Sequence, residues 1–412
     1  MADALRRLIS SSSSTVLAGL TQGFGLLQLL LLVAGSPTIE SDSYFYLISW
    51  AQLPTQLIVS GFVYPVWLSG TRAVRRRLQV ALISAPFVAA AGPLVAMWIF
   101  QSITGGYSTL LLHSALFSAL GVVLCCGWAL ALRLAADGNT AWVSAVTLIS
   151  NILSCATLLA MTHADVSARM SGMLIAQIVG MVVTTILMVR SHPTLLKRLT
   201  AEPTQGRIVT SKSEWYLLQS LAGYGGMLIL QTLSAALAPA ALSILGLIGR
   251  LVSGLNTVVT NAIVPKLIHS GSDSDRSVAR FVNIVVAISL SVASLGIVIA
   301  AGGQLPLAAQ FAVVLAWFAA AVLNAAFKRV AVRFAEPRIA WISALLNALT
   351  AVSVLGAWAF GYQTLFVILL GYVLLDLLPG LALAILQRHT VAALLTAAGV
   401  IAIAALASPY LI

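Results

Sequence analysis

LSILGLIGRLVSGLNTVVTNAIVPKLIHS, residues 242–270, is long enough to cross a bilayer and carries Arg250 near its middle. An arginine at that depth costs several kcal/mol (~2.5 to above 10) unless it faces a polar cavity or a partner. The stretch also holds Asn256 and Asn261 and closes on Pro265-Lys266. The comparable charge deep in another apolar run is Asp376, in LFVILLGYVLLDLLPGLALAIL, residues 365–386. With ~1.5 Å of rise per residue, the two charges differ in depth by only about 5 Å if both runs cross the membrane. They form an opposite-sign pair, and the pattern is that of a transporter-like bundle.

Composition agrees with a membrane setting. The 412 residues are 60% hydrophobic and 8% charged, where soluble domains carry about 25% charged residues. Net charge is +11, but the cations sit in short clusters between apolar runs. That placement is a topology signal and argues against nucleic acid as a partner. Cys125, Cys126 and Cys155 have no metal-ligand spacing and read as small packing residues.

At roughly 20 apolar residues per crossing, spans are expected at 15–34, 44–68, 79–101, 109–132, 141–161, 171–189, 214–237, 240–266, 281–302, 306–327, 339–360, 363–387 and 391–411. The last follows a very short connection, Arg388-His389-Thr390, and is left as a crossing, re-entrant or interfacial helix. With the N-terminus in the cytoplasm, twenty of the 22 Lys and Arg residues fall on the inner side, including Arg72, Arg75, Arg76 and Arg77. The exceptions are Arg169 and Arg250. This bias sets the orientation.

The fold class is therefore an all-α polytopic membrane protein with twelve to thirteen crossings. The longest polar connection, 191–213, separates an N-lobe (1–190) from a C-lobe (214–388), with 389–412 as an additional helix. Such a plan suits two six-helix lobes around a central cavity and alternating access. No large external loop, HExxH, P-loop or Ser-His-Asp set is present, so the chain reads as no enzyme and no ATPase.

Arg250 suits an anion such as pyrophosphate, which guanidinium binds bidentately; the bland reading is a structural ion pair. Asp376 neutralises Arg250, carries a proton or binds a cation, so coupling to H+ or Na+ stays open and no other cofactor is expected. Pro379-Gly380 predicts a kink or unwound turn beside it. Residues 41–68, SDSYFYLISWAQLPTQLIVSGFVYPVWL, form a polar span broken at Pro54, with Gln52 and Gln56 on either side. Asp42 reads as the N-cap of that helix before it reads as a coupling site. His113 reads as a packed histidine before a proton relay. Gln22, Gln28 and Asn151, with Asn324 and Asn347, are left between cavity lining and helix–helix glue.

Three stretches together resemble the multidrug/oligosaccharidyl-lipid/polysaccharide (MOP) flippase superfamily. Residues 41–67 resemble its second helix, 242–268 its eighth, with a mid-helix Arg and a terminal Pro, and 325–349 its tenth-to-eleventh connection. Order, spacing and orientation agree over nearly the whole chain. The resemblance is nearest to the polysaccharide and lipid II flippases. It implies two six-helix lobes and movement of a lipid-linked (undecaprenyl-pyrophosphate) oligosaccharide across a bacterial cytoplasmic membrane. By the same resemblance, Arg250 is the cavity arginine of the second lobe. Lipid II flippases place arginines along the first helix, where this chain has Gln22 and Gln28. Expected partners are the lipid-linked saccharide, membrane lipids and polysaccharide polymerase or assembly proteins, around a monomer. A cation-coupled drug or metabolite antiporter of the same fold, or a non-transporting scaffold in envelope assembly, are the other readings.

Overall fold

The structure, a computed structural model, describes residues 2–34, 38–64, 67, 75–137, 139, 141–199, 212–269, 273–302, 307–334 and 337–407. Among these there is no strand. The main helices are α1 (Ala2–Val33), α2 (Ile39–Pro54), α3 (Arg75–Thr104), α4 (Leu110–Ala136), α5 (Ala141–Ala160, broken at 146–147), α6 (Val166–Ser191) and α7 (Lys212–Ala235). They continue as α8 (Ala241–His269), α9 (Asp273–Ala301), α10 (Leu307–Phe334), α11 (Pro337–Ala359), α12 (Leu365–Leu386) and α13 (Thr390–Ala407). Each falls on one of the thirteen spans expected from hydropathy. Ten of them are long and apolar enough to cross a membrane. The chain is a multi-pass membrane protein.

Two details differ from the sequence reading. First, α2 starts five residues earlier than expected, at Ile39, because the Ser41 hydroxyl accepts from the Thr38 amide and closes its first turn. After Pro54 the helix widens into a π-helix over Thr55–Val63. Proline lacks the N–H of an i→i−4 bond, and a π-turn is one way a chain absorbs that loss. Second, α12 runs as continuous helix through Pro379-Gly380, with no unwound turn. There Gly380 lies against α10, where an added Cβ would sit 3.0 Å from the Asn324 amide nitrogen. Of the expected kink or unwound turn, the unwound turn does not form, and a close helix–helix contact stands at that point.

The described helices fall into two compact units. The first comprises Met1–Tyr224 with Gln231–Leu247. Its core is aromatic along α2: Tyr44 packs on Phe117 of α4 and Tyr46 on Phe100 of α3, with centroids 5.5 and 5.6 Å apart. Small residues let the backbones approach, as is common between helices in lipid. A Cβ at Gly121 would lie 3.0 Å from the Ala89 carbonyl and 3.1 Å from that of Ala51, and one at Gly180 would lie 2.4 Å from Ser150 Cα.

The second unit comprises Gly225–Leu230 with Ile248–Ile412. It is built around α10, which packs on α9, α12 and α13. In α10, 67% of the apolar window is buried, against 28% in α9, so α10 is the axis and α9 the periphery. The thirteenth helix belongs to this unit: Ala393, Thr396, Val400, Ile403 and Ala407 form its buried face, while Leu394, Leu395, Ile401 and Leu406 are exposed. At ~1.5 Å per residue its length suffices for about 27 Å.

Candidate functional site

In the first unit Asp42 sits in the first turn of α2 and is 4% exposed. It does not cap its own helix, as the sequence had suggested, because that helix begins three residues before it. Its carboxylate turns instead to the start of α8. One oxygen accepts from the Ala240 amide at 2.7 Å; the other accepts from the Ser243 amide at 2.8 Å and the Ser243 hydroxyl at 2.6 Å. A helix N-terminus leaves its first amides without internal partners. At the N-cap of α8 stands Ala240, with φ +76° and no side-chain acceptor. Asp42 therefore supplies the cap from another helix, and its charge complements the positive end of the α8 dipole. Ser41 reinforces it, with its hydroxyl 2.8 Å from that of Ser243. Gly246, one turn on, is pressed against the ring of Phe45. Tyr46 to Thr232 (3.1 Å) and Tyr224 to the Ser49 carbonyl (2.9 Å) tie α2 to α7.

A second polar group lies deeper. The Gln28 amide donates to Asn151 Oδ1 at 3.3 Å, and Gln177 donates to Gln28 Oε1 and to the Tyr44 hydroxyl, both at 3.3 Å. Asn151 donates to the Thr21 carbonyl at 2.8 Å. All three amides are buried. Between cavity lining and glue, Gln28 and Asn151 are glue: they join α1, α5 and α6. Arg169, an exception to the charge pattern, is also buried and donates to the Leu31 carbonyl at the end of α1.

In the second unit each oxygen of Asp376 meets a neutral donor from α10. Trp317 Nε1 donates to one at 2.9 Å and Asn324 Nδ2 to the other at 3.0 Å. Trp317 stacks on Tyr372, one turn before Asp376, with centroids 5.2 Å apart. Its far edge lies against Gly249 of α8, where a Cβ would be 3.3 Å away. The residue beside Arg250 thus packs on the indole that holds Asp376. The backbone of Asn324 is also the surface on which Gly380 rests.

No family model matches this chain, and no curated protein sequence matches it. Solved structures do match, and they span its length. Lipid II flippase MurJ in an inward closed conformation aligns over 98% of both chains at TM-score 0.54 and 14% identity. A MATE in the straight conformation aligns over 97% of this chain and 96% of its own, at TM-score 0.54 and 12% identity. A MOP superfamily transporter from Pyrococcus furiosus aligns over 96% of each, at TM-score 0.54 and 14% identity. The chain has the MOP transporter fold.

The remaining candidates lie on α1 and α2 of the first unit and on α8 in the second. Arg250 and Asn256 are half-buried on α8, Gln22 is half-buried on α1, Gln52 is half-buried on α2, and Gln56 is exposed just beyond Pro54. The side chain of Asn261 and those of Arg72, Arg75, Arg76 and Arg77 lie outside the described residues. Sequence reasoning missed Ser243 and Trp317. A serine two residues after Ala241, at a predicted helix start, and a tryptophan seven residues before Asn324 on one face were the available signals.

Proposed function

We propose that this chain is a MOP superfamily flippase. It translocates a lipid-linked oligosaccharide or related cell-envelope precursor across a bacterial cytoplasmic membrane by alternating access, with its N-terminus in the cytoplasm. The observation that carries the reading is Arg250 at mid-length of α8, half-buried within an apolar crossing and next to a glycine that packs on Trp317. A guanidinium in that setting is costly unless it serves an anion or partner, and pyrophosphate or an acidic sugar is the anion that a lipid-linked saccharide offers. Likeness over the full length to a lipid II flippase supports the substrate class. The uncharged first helix, with Gln22 half-buried and Gln28 used in packing, favours a substrate less charged than lipid II.

The test is genetic. Deletion should abolish a surface polysaccharide and raise the inner-leaflet pool of its lipid-linked precursor. Wild type should restore both, and Arg250→Ala, at equal protein level, should restore neither. Unchanged precursor and polymer on deletion would end the flippase reading.

A second reading, a cation-coupled antiporter of small molecules, is favoured by Asp376. Its oxygens are met by the neutral donors Trp317 and Asn324, with Lys328 as the cationic group acting on the carboxylate, a buried acid of the kind that a proton or metal cation could use. Under that reading Asp376→Asn stops efflux, while Arg250→Ala does not.

A further inference from the structure

Trp317 is buried and is held on three sides, all within the second unit. Its Nε1 donates to Asp376 at 2.9 Å. Its ring lies against Tyr372, with centroids 5.2 Å apart and planes 31° from parallel. Its Cη2, on the far edge of the six-membered ring, is the atom that a Cβ at residue 249 would meet, at 3.3 Å. Asp376 is kept from following the indole, because its other oxygen accepts from Asn324 at 3.0 Å. Asn324 is fixed in turn by Gly380, which rests on its backbone. The indole is therefore a strut. One edge is anchored to α12 through a carboxylate, and the other stands against the backbone of α8 beside Arg250.

This contact accounts for glycine at 249. Glycine inside a helix is less favourable than alanine. Apart from the helix's own backbone, Trp317 supplies the one heavy atom within 4 Å of the missing Cβ. The indole thus decides how close α8 comes at this point. A side chain at 249 has to displace either the ring or the helix. The ring is bonded at Nε1 and stacked on one face, so it is the stiffer of the two. The backbone of α8 gives way, and Arg250, the next residue, moves with it. Bonds from a guanidinium to an oxyanion hold only within narrow limits of distance and angle. The spacing set at Gly249 therefore reaches whatever anion Arg250 holds.

We propose, on the reading that Arg250 takes the substrate's anion, that Trp317 is the positioning residue for Arg250. Aimed by Asp376 and Tyr372, it sets how far α8 stands from α10 at the arginine, and so where the guanidinium meets a pyrophosphate. Asp376 thereby acts on anion binding without touching the anion, through the hydrogen bond that orients the indole. Gly249 becomes a determinant of affinity through its lack of a side chain. The strut and the glycine work as a matched pair, so a change in the size of one is offset by an opposite change in the other.

The experiment measures the affinity of full-length protein in lipid nanodiscs for farnesyl pyrophosphate, with the melting temperature of each variant recorded beside it. Wild type should bind, and Arg250→Ala should lose about tenfold or more, the scale of a hydrogen bond to a charged group. Gly249→Val and Trp317→Phe should each weaken binding by about three- to tenfold with Arg250 in place. In the double variant the smaller ring makes room for the valine. Its affinity should exceed that of Gly249→Val by about threefold or more, a coupling of the size that residues in contact show. A purely structural role would lower the melting temperatures and leave the affinities of the folded variants unchanged. If Trp317→Phe does not fold, Gly249→Ala against Gly249→Val keeps the test, because the loss must grow with side-chain volume. Single variants that bind as wild type does, a double variant no better than Gly249→Val, or equal affinities for Gly249→Ala and Gly249→Val overturn the positioning role and leave Arg250 as the anion site. Wild type that binds no better than Arg250→Ala removes the anion reading and the positioning role with it.

Discussion

Replacing Asp42 by Ala should loosen the start of α8 without unfolding the rest of the chain. The carboxylate receives two amides and a hydroxyl at 2.6 to 2.8 Å and is 4% exposed, so little water stands ready to replace it. Loss of an N-cap costs about 1 kcal/mol, and a partly buried charge at a helix terminus up to about 2. Hydrogen bonds to a charged group run at roughly 1.5–3 kcal/mol each but do not add. The combined estimate is about 3 kcal/mol, and at 1.4 kcal/mol per decade that is about a hundredfold faster local opening. Hydrogen exchange of amides 240–246 reads this directly, with amides 396–403 in α13 as the internal reference. Asp42→Asn keeps an acceptor and should give about tenfold, while Ser243→Ala spares the two amides and should give less. An increase below threefold in Asp42→Ala, or a larger one in Ser243→Ala, would refute the capping argument.

Further outcomes follow from single contacts. Gly180→Ala drives a Cβ into the Ser150 backbone and should lower the yield of folded protein by size-exclusion, whereas Gly19→Ala, with nothing within 4 Å, should be neutral or raise thermal stability. Gly380→Ala should push α12 off Asn324 and cost about 1–3 kcal/mol in a denaturation series. Asp376→Asn keeps an acceptor for Trp317 and should leave thermal stability within about 1 kcal/mol while removing any dependence of transport on H+ or Na+. Arg388 holds φ +66° at the end of α12, where the His389 amide bonds back to the Ala384 carbonyl. Glycine is the residue suited to that position, so Arg388→Gly should raise the melting temperature slightly and Arg388→Val lower it.

The helices were legible because crossing a bilayer forces about 20 apolar residues into each, a strong and local signal. Charge clusters then ordered them. The site was legible only as residue types. Asp42 was visible as an acidic residue at a helix start, but its partner lies some two hundred residues on, and no local pattern links Ser43 to Tyr107 or Asp42 to Ser243. At Pro379-Gly380 the unwound turn failed to form for a related reason. The missing side chain at Gly380 serves the approach of Asn324, a tertiary demand invisible to spacing. Gln28 and Asn151 show the same limit: an amide in an apolar run reads alike whether it faces substrate or a neighbouring helix.

The central claim, transport of a lipid-linked anion dependent on Arg250, is tested most directly in proteoliposomes. Purified protein is reconstituted with a fluorescent undecaprenyl-pyrophosphate oligosaccharide, and leaflet exchange is followed by quenching from one side. Wild type should accelerate exchange over empty liposomes, Arg250→Lys should retain part of that rate, and Arg250→Ala should fall to the empty-liposome rate with the fold intact by circular dichroism. Exchange by Arg250→Ala equal to wild type, or none by wild type, would contradict the account.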